Sequence, residues 1–80
     1  MPTLNDVHRL QREVNHRVRY YSLKIYKNLF GEYILESEYG SIKNKRPTGV
    51  QRDYFVTIHE TLVSRALKIE AKIKKGYKYV

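Results

Sequence analysis

The sequence predicts an α+β fold: an antiparallel β-sheet packed against one long C-terminal α-helix, with an additional N-terminal helix. Three observations carry this expectation. Residues 19–27 and 33–39 alternate apolar and polar side chains with the period of two that marks a half-buried strand. Thr57-Ile58-His59-Glu60 has the Thr-x-x-Glu spacing of a capping box, and apolar residues recur at helical steps beyond it. Near the N-terminus, Leu4, Val7, Leu10, Gln11 and Val14 recur three and four residues apart.

Taken in order, residues 3–16 read as an amphipathic helix capped by Thr3 or Asn5, with Arg9, Arg12, Glu13 and His16 opposite the apolar stripe. So short a helix is marginal alone in water, so it is expected to dock on its own domain or on a second copy. The expected state is therefore a monomer, or a homodimer through the N-terminal helix. Residues 19–27 form the first strand, with Tyr21, Leu23 and Ile25 facing the core and Tyr20, Ser22, Lys24 and Tyr26 facing away. Residues 28–31 turn the chain at Gly31, and residues 33–39 return antiparallel. Residues 43–49 form a loop in which Pro47 and Gly49 break regular structure and Lys43, Lys45 and Arg46 cluster. Residues 50–56 read as a third strand.

The capping box opens a helix running to about residue 75, with Leu62, Val63, Ala66, Ile69 and Ile73 as its apolar face. Lys68, Lys72 and Lys75 share another face, and Gly76 stands where a C-terminal cap belongs. Residues 77–80 are expected to return as a short last strand. The chain so divides into an N-terminal helix, residues 1–16, and a domain, residues 17–80.

Eighty residues allow one small domain with a marginal core. Sixteen Lys and Arg against eight Asp and Glu give a net charge of +8. With a pI near 9.8, this is the electrostatic footprint of a nucleic-acid binder, although a solvated basic surface has the same composition. There are eight tyrosines, suited to half-buried strand faces where the ring packs and the hydroxyl reaches water. The absence of cysteine excludes disulfides and thiolate metal sites and fits a reducing, cytoplasmic setting. No apolar run reaches the roughly 18 residues of a membrane span, and the first residues lack the basic start and apolar core of a signal peptide.

Catalytic chemistry has no residue set behind it. His8, His16 and His59 are scattered, and His8 and His16 are not at the four-residue spacing of a chelating pair. Glu36 and Glu38 read as charges balanced by neighbouring lysines, and the glycines form no nucleotide-binding loop. No enzyme activity, metal or cofactor is expected. The constellation that does carry chemistry is basic and aromatic: Tyr39 at a strand end, Lys43, Lys45 and Arg46 in the loop beyond it, and Lys72 and Lys75 at the end of the long helix. Lysine and arginine contact phosphates, and an aromatic ring stacks on a base.

The same positions carry a family resemblance. Arg19-Tyr20-Tyr21, Leu29-Phe30-Gly31-Glu32-Tyr33, Tyr39-Gly40-Ser41-Ile42-Lys43 and Lys72-Ile73-Lys74-Lys75-Gly76-Tyr77 follow one another in the order and spacing of the WGR domain. That family is named for a Trp-Gly-Arg tripeptide at a strand end. The resemblance covers residues 17–80 and implies a standalone WGR-like protein that binds nucleic acid, with DNA favoured over RNA. In DNA-dependent poly(ADP-ribose) polymerases, WGR domains bind near a DNA break, with the signature Trp at the DNA end and the signature Arg on the nucleic acid. By position those roles fall here on Tyr39 and Ser41. Both family tryptophans stand as tyrosines, and a serine supplies neither a guanidinium charge nor its fork of donors. The resemblance also admits an acidic protein partner, because WGR domains make domain–domain contacts. The expected function is thus weak, sequence-independent nucleic-acid binding, with a protein-interaction module as the alternative.

Overall fold

The structure, a computed structural model, describes residues 7–80. Five strands and one helix follow in the order β1 (His8–Val14), β2 (Arg17–Lys27), β3 (Tyr33–Ser41), β4 (Gly49–Phe55), α1 (Ile58–Lys74) and β5 (Lys78–Tyr79). All pairings are antiparallel, and the sheet order is β4-β3-β2-β1-β5. The first four strands form a meander. The chain then crosses one face of the sheet as α1 and adds β5 to the far edge.

This corrects the expectation of an N-terminal helix: the fold is mostly β, with one helix of 17 residues at the C-terminal end. The segment read as helix is β1 from His8 to Val14, and Leu4 lies outside the described residues. A homodimer through an N-terminal helix has no such helix to use among the described residues. The reason is tertiary. β2 extends from Arg17 to Lys27, and β1 satisfies its free edge in the register Leu10↔Tyr21 and Arg12↔Arg19. Asn15 and His16 link the two strands, both with positive φ (52° and 66°), the left-handed conformation of a tight two-residue hairpin.

Alternation then decides the two faces of the sheet. Leu10, Tyr21, Leu23, Ile25 and Leu35 face α1 and form the core with Tyr77, joined by half-buried Phe55, Ile58 and Ile69. The opposite face carries no helix and closes itself with polar contacts. Glu36 there accepts hydrogen bonds from Tyr26 Oη (3.0 Å) and Arg52 Nε (2.8 Å) and pairs with Lys24 Nζ (3.2 Å). Tyr20 Oη donates to Glu38 at 3.0 Å, with the Arg9 guanidinium over its ring.

The helix begins as its capping box directs. Thr57 Oγ1 accepts from Glu60 N at 3.2 Å and donates to the Glu60 carboxylate at 2.9 Å. Its apolar face is not where periodicity placed it. Thr61 is the one helical residue fully buried, its hydroxyl returned to the Thr57 carbonyl at 2.8 Å. Ile69 packs on the core, but Leu62, Val63, Ala66 and Ile73 are exposed. Lys68 and Lys72 lie on the inward side instead, their aliphatic stems covering the sheet while the ammoniums find Asp53 (3.3 Å) and the ring of Tyr21. No helix among the described residues is long and apolar enough to cross a membrane.

Candidate nucleic-acid interface

Tyr39 ends the helix-facing row Leu10–Tyr21–Tyr39 across β1, β2 and β3. Its ring is stacked with that of Tyr21, with centroids 6.5 Å apart and planes 26° from parallel. Tyr39 also lies over the backbone of Gly49, its strand partner: a Cβ there would come within 3.0 Å of Tyr39 Cε2 and closer still to the ring's hydroxyl end. Glycine is what lets the ring lie flat at this point. Tyr39 is still 38% exposed, enough for one more stacking partner.

Tyr21 is in turn contacted by Tyr77, edge-on at 6.4 Å, and by Lys72, whose Nζ stands 4.5 Å from the ring centre. Lys72 pairs with no carboxylate among the described residues. Burial under the helix lowers its pKa from the ordinary lysine value, and repulsion from Lys75 and Lys68 adds to the shift. Tyr21, Tyr39, Gln51, Lys68, Ala71 and Lys72 line an open groove of about 370 Å³ between α1 and the β3–β4 end of the sheet. An exposed ring thus stands beside an ammonium that has no counter-ion, at a groove open to solvent. A ring free to stack beside an ammonium is the chemistry that suits an anion with a flat apolar group attached.

Of the residues singled out from the sequence, Tyr39 and Lys72 meet at this groove. Lys75 forms the C-terminal cap of α1, close enough to act electrostatically on Lys72. Ser41 is the last residue of β3, and its hydroxyl accepts from Lys43 N at 3.4 Å, turned into its own loop. Lys43, Lys45 and Arg46 are fully on the surface of residues 42–48. That loop is anchored at both ends, by Ile42 N to the Val18 carbonyl (3.1 Å) and Thr48 N to the Tyr39 carbonyl (2.8 Å). Thr48 N lies so near Gly40 that a Cβ there would stand 2.9 Å from it. The loop cations therefore start from the backbone of Tyr39 itself.

The sequence reading passed over Arg12 and Arg19. Register places Arg12, Arg19 and Ser41 in one row on the helix-facing side, the row beyond Tyr21 and Tyr39. Arg12 also borders Gly76 at the helix end. As part of a helix Arg12 belongs to a solvated face; as part of β1 it shares a face with Leu10. Only the strand assignment brings it beside Arg19 and the end of α1.

No protein family, curated protein or solved structure matches this chain.

Proposed function

We propose that this chain is a small non-catalytic module that binds nucleic acid, DNA in preference to RNA, weakly and without sequence specificity. The observation that carries the reading is the column Tyr39–Tyr21–Lys72, an exposed ring stacked beside an uncompensated ammonium. Tyr39 supplies stacking, Lys72 and Lys75 the helix-end charge, and Lys43, Lys45 and Arg46 the loop charge, with Ser41 offering a hydroxyl. Arg12 and Arg19 extend the same positive surface. The WGR resemblance supports the same positions, and a net charge of +8 supports long-range attraction to phosphate. A cytoplasmic location belongs to this reading and rests on the absence of cysteine.

Such contacts give dissociation constants of roughly 10⁻⁴ to 10⁻⁶ M at physiological salt, and each duplex phosphate contact adds about 0.9 to the slope of log affinity against log salt. The test is a binding panel of single-stranded, blunt-duplex, nicked and RNA ligands across a salt series. Lys45→Ala with Arg46→Ala flattens the slope by about two. Tyr39→Ala weakens binding with little change in slope, because stacking is not ionic, and Ser41→Arg tightens it. Absence of salt-sensitive binding to every ligand at high micromolar protein overturns the reading. The alternative is then a protein-interaction module for an acidic partner. One observation favours it: the signature position holds an uncharged serine whose hydroxyl already accepts from Lys43 N, leaving only its O–H to offer.

A further inference from the structure

The two edges of the sheet are unlike. β5 ends one of them with only two residues, Lys78 and Tyr79, short and lysine-bearing as exposed edges commonly are. β4 ends the other with seven residues, Gly49–Phe55, and has neither proline nor lysine. Its two charged side chains are turned onto the protein, Arg52 to Glu36 at 2.8 Å and Asp53 to Lys68 at 3.3 Å, so neither guards the edge. The ladder fixes which backbone groups are left over. Ile42 N donates to the Val18 carbonyl, and pairing alternates from there, so the main chain of Tyr33, Leu35, Ser37 and Tyr39 points at β4. The bond from Thr48 N to the Tyr39 carbonyl agrees. Their partners Phe55, Asp53, Gln51 and Gly49 point back, which leaves the N–H and C=O of Val50, Arg52 and Tyr54 aimed out of the sheet. All three residues are exposed, Val50 by 42% and Tyr54 by 55%. A row of alternating donors and acceptors is matched by another extended chain.

We propose that the β4 edge binds an acidic, extended segment of a partner protein, which adds to the sheet as a further strand antiparallel to β4. The helix side of the edge says what that segment carries. Gln51, Asp53 and Phe55 face α1, and so do the residues of an added strand that stand opposite them. At the Phe55 end, Val63 and Leu67 line an apolar groove of about 390 Å³. Glu60 at its rim is held by the capping box with Thr57. At the Gln51 end lies the groove bordered by Lys68 and Lys72. Lys68 is compensated by Asp53, whereas Lys72 pairs with no carboxylate among the described residues. The segment therefore sets an apolar side chain opposite Phe55 and, four residues later, a carboxylate opposite Gln51, within reach of Lys72.

Charge selects this occupant over a second copy. Another copy brings its own Lys68 and Lys72 to the same edge and sets +8 against +8, whereas an acidic segment meets attraction at both scales. Main-chain hydrogen bonds then supply affinity, and the two grooves supply specificity. The proposal does not rest on nucleic-acid binding, although both use Lys72.

The experiment is amide hydrogen exchange of the full chain, read by NMR, with a synthetic peptide at up to about millimolar concentration. The peptide alternates threonine and valine and carries one leucine and, four residues on, one glutamate. The expected result is exchange slowed about tenfold or more at Val50, Arg52 and Tyr54. Replacing the peptide's glutamate by lysine weakens binding about tenfold or more. Val50→Pro removes an outward N–H and no bond to β3, so it weakens binding while the fold, checked by circular dichroism, is kept. N-methylation of the peptide at the residue opposite Arg52 does the same without altering the protein, and so serves if that variant does not fold. Unslowed exchange at the three amides, or equal binding of the lysine peptide, overturns the proposal. So does protection that arises without peptide and grows with protein concentration, because a second copy then fills the edge.

Discussion

The ammonium of Lys72 stands 4.5 Å from the centre of the Tyr21 ring and has two cationic neighbours, Lys68 and Lys75, within electrostatic reach. The ring and the absence of a carboxylate leave that charge available, while burial and repulsion disfavour it. A lysine whose folded-state pKa lies below its unfolded value costs stability in its charged form. The cost is complete below the folded pKa and is relieved as pH rises toward the ordinary lysine value of 10.5. Lys75→Ala removes one source of repulsion, so it raises the pKa of Lys72. Side-chain NMR titration of Lys72 in the two proteins reads this directly; an unmoved midpoint would show that Lys75 acts elsewhere.

Gly49→Ala sets a methyl group where the Tyr39 ring lies. The obstructing atoms are the far end of a side chain, so the ring swings away rather than the strand breaking. Thermal stability should change by less than about 1 kcal/mol, because alanine also lowers the entropy of the unfolded chain. The Tyr39 resonances should move and nucleic-acid affinity should fall. A large loss of stability would mean that the ring cannot leave its place.

Glu36 is the acid-sensitive point of the open face. Burial raises its pKa, but the hydrogen bonds from Tyr26, Lys24 and Arg52 outweigh that and hold it below the ordinary value of 4.5. A carboxylate with a depressed folded-state pKa contributes stability above its unfolded pKa, and loses it as pH falls through the folded pKa. Glu36→Gln should cost about 1 to 3 kcal/mol at neutral pH. The two urea midpoints should converge in acid below that folded pKa. A gap that stays constant with pH would show that the effect is packing and not charge.

Leu35 and Ser37 are neighbours on the core side of β3 and should respond with opposite signs. Leu35 is fully buried among core residues, and Leu35→Ala should destabilise by about 2 to 5 kcal/mol. Ser37 is 1% exposed, and its hydroxyl has no partner among the described residues. Ser37→Ala removes an unsatisfied polar atom for little change in volume, so it should be neutral or stabilising. Chemical denaturation of both variants separates the cases, and a destabilised Ser37→Ala would mean that the hydroxyl is satisfied.

The sheet's centre was legible because its alternation is redundant. In β2, Tyr21, Leu23 and Ile25 repeat on one face, and in β3, Tyr33, Leu35, Ser37 and Tyr39 do, so register and core face follow. The start of α1 was legible because Thr57 and Glu60 satisfy each other locally. β1 was not. Its core-facing set is His8, Leu10, Arg12 and Val14, in which Leu10 alone is fully buried, so alternation leaves no trace. Its turn, Asn15-His16, lacks the glycine that usually signals a tight hairpin. The same residues satisfy helical spacing by coincidence, and what decides for a strand is the open edge of β2. The apolar side of α1 misled for the opposite reason: its periodicity is real but lies off the sheet-facing side, so that only Ile69 of that set reaches the core. At the candidate site, Tyr39 and Lys72 could be named from sequence, whereas Arg12 and Arg19 depend on β1.

The pairing of β5 with β1 bears on how the molecule folds. β1 to β4 join sequence neighbours through short links, so their contacts close small loops at modest entropic cost. Leu10 pairs with Tyr79 across the whole length of the meander and α1, and Val80 N reaches the Arg9 carbonyl at 3.2 Å. Loop-closure entropy then makes that closure the expected last event in folding and the first to reverse. While it is open, β1 presents an unpaired edge to any other extended chain, next to Leu10 and Tyr77. On this view the two residues of β5 set the unfolding rate of an 80-residue chain. A change that loosens Tyr79 should speed unfolding while leaving the refolding rate nearly untouched.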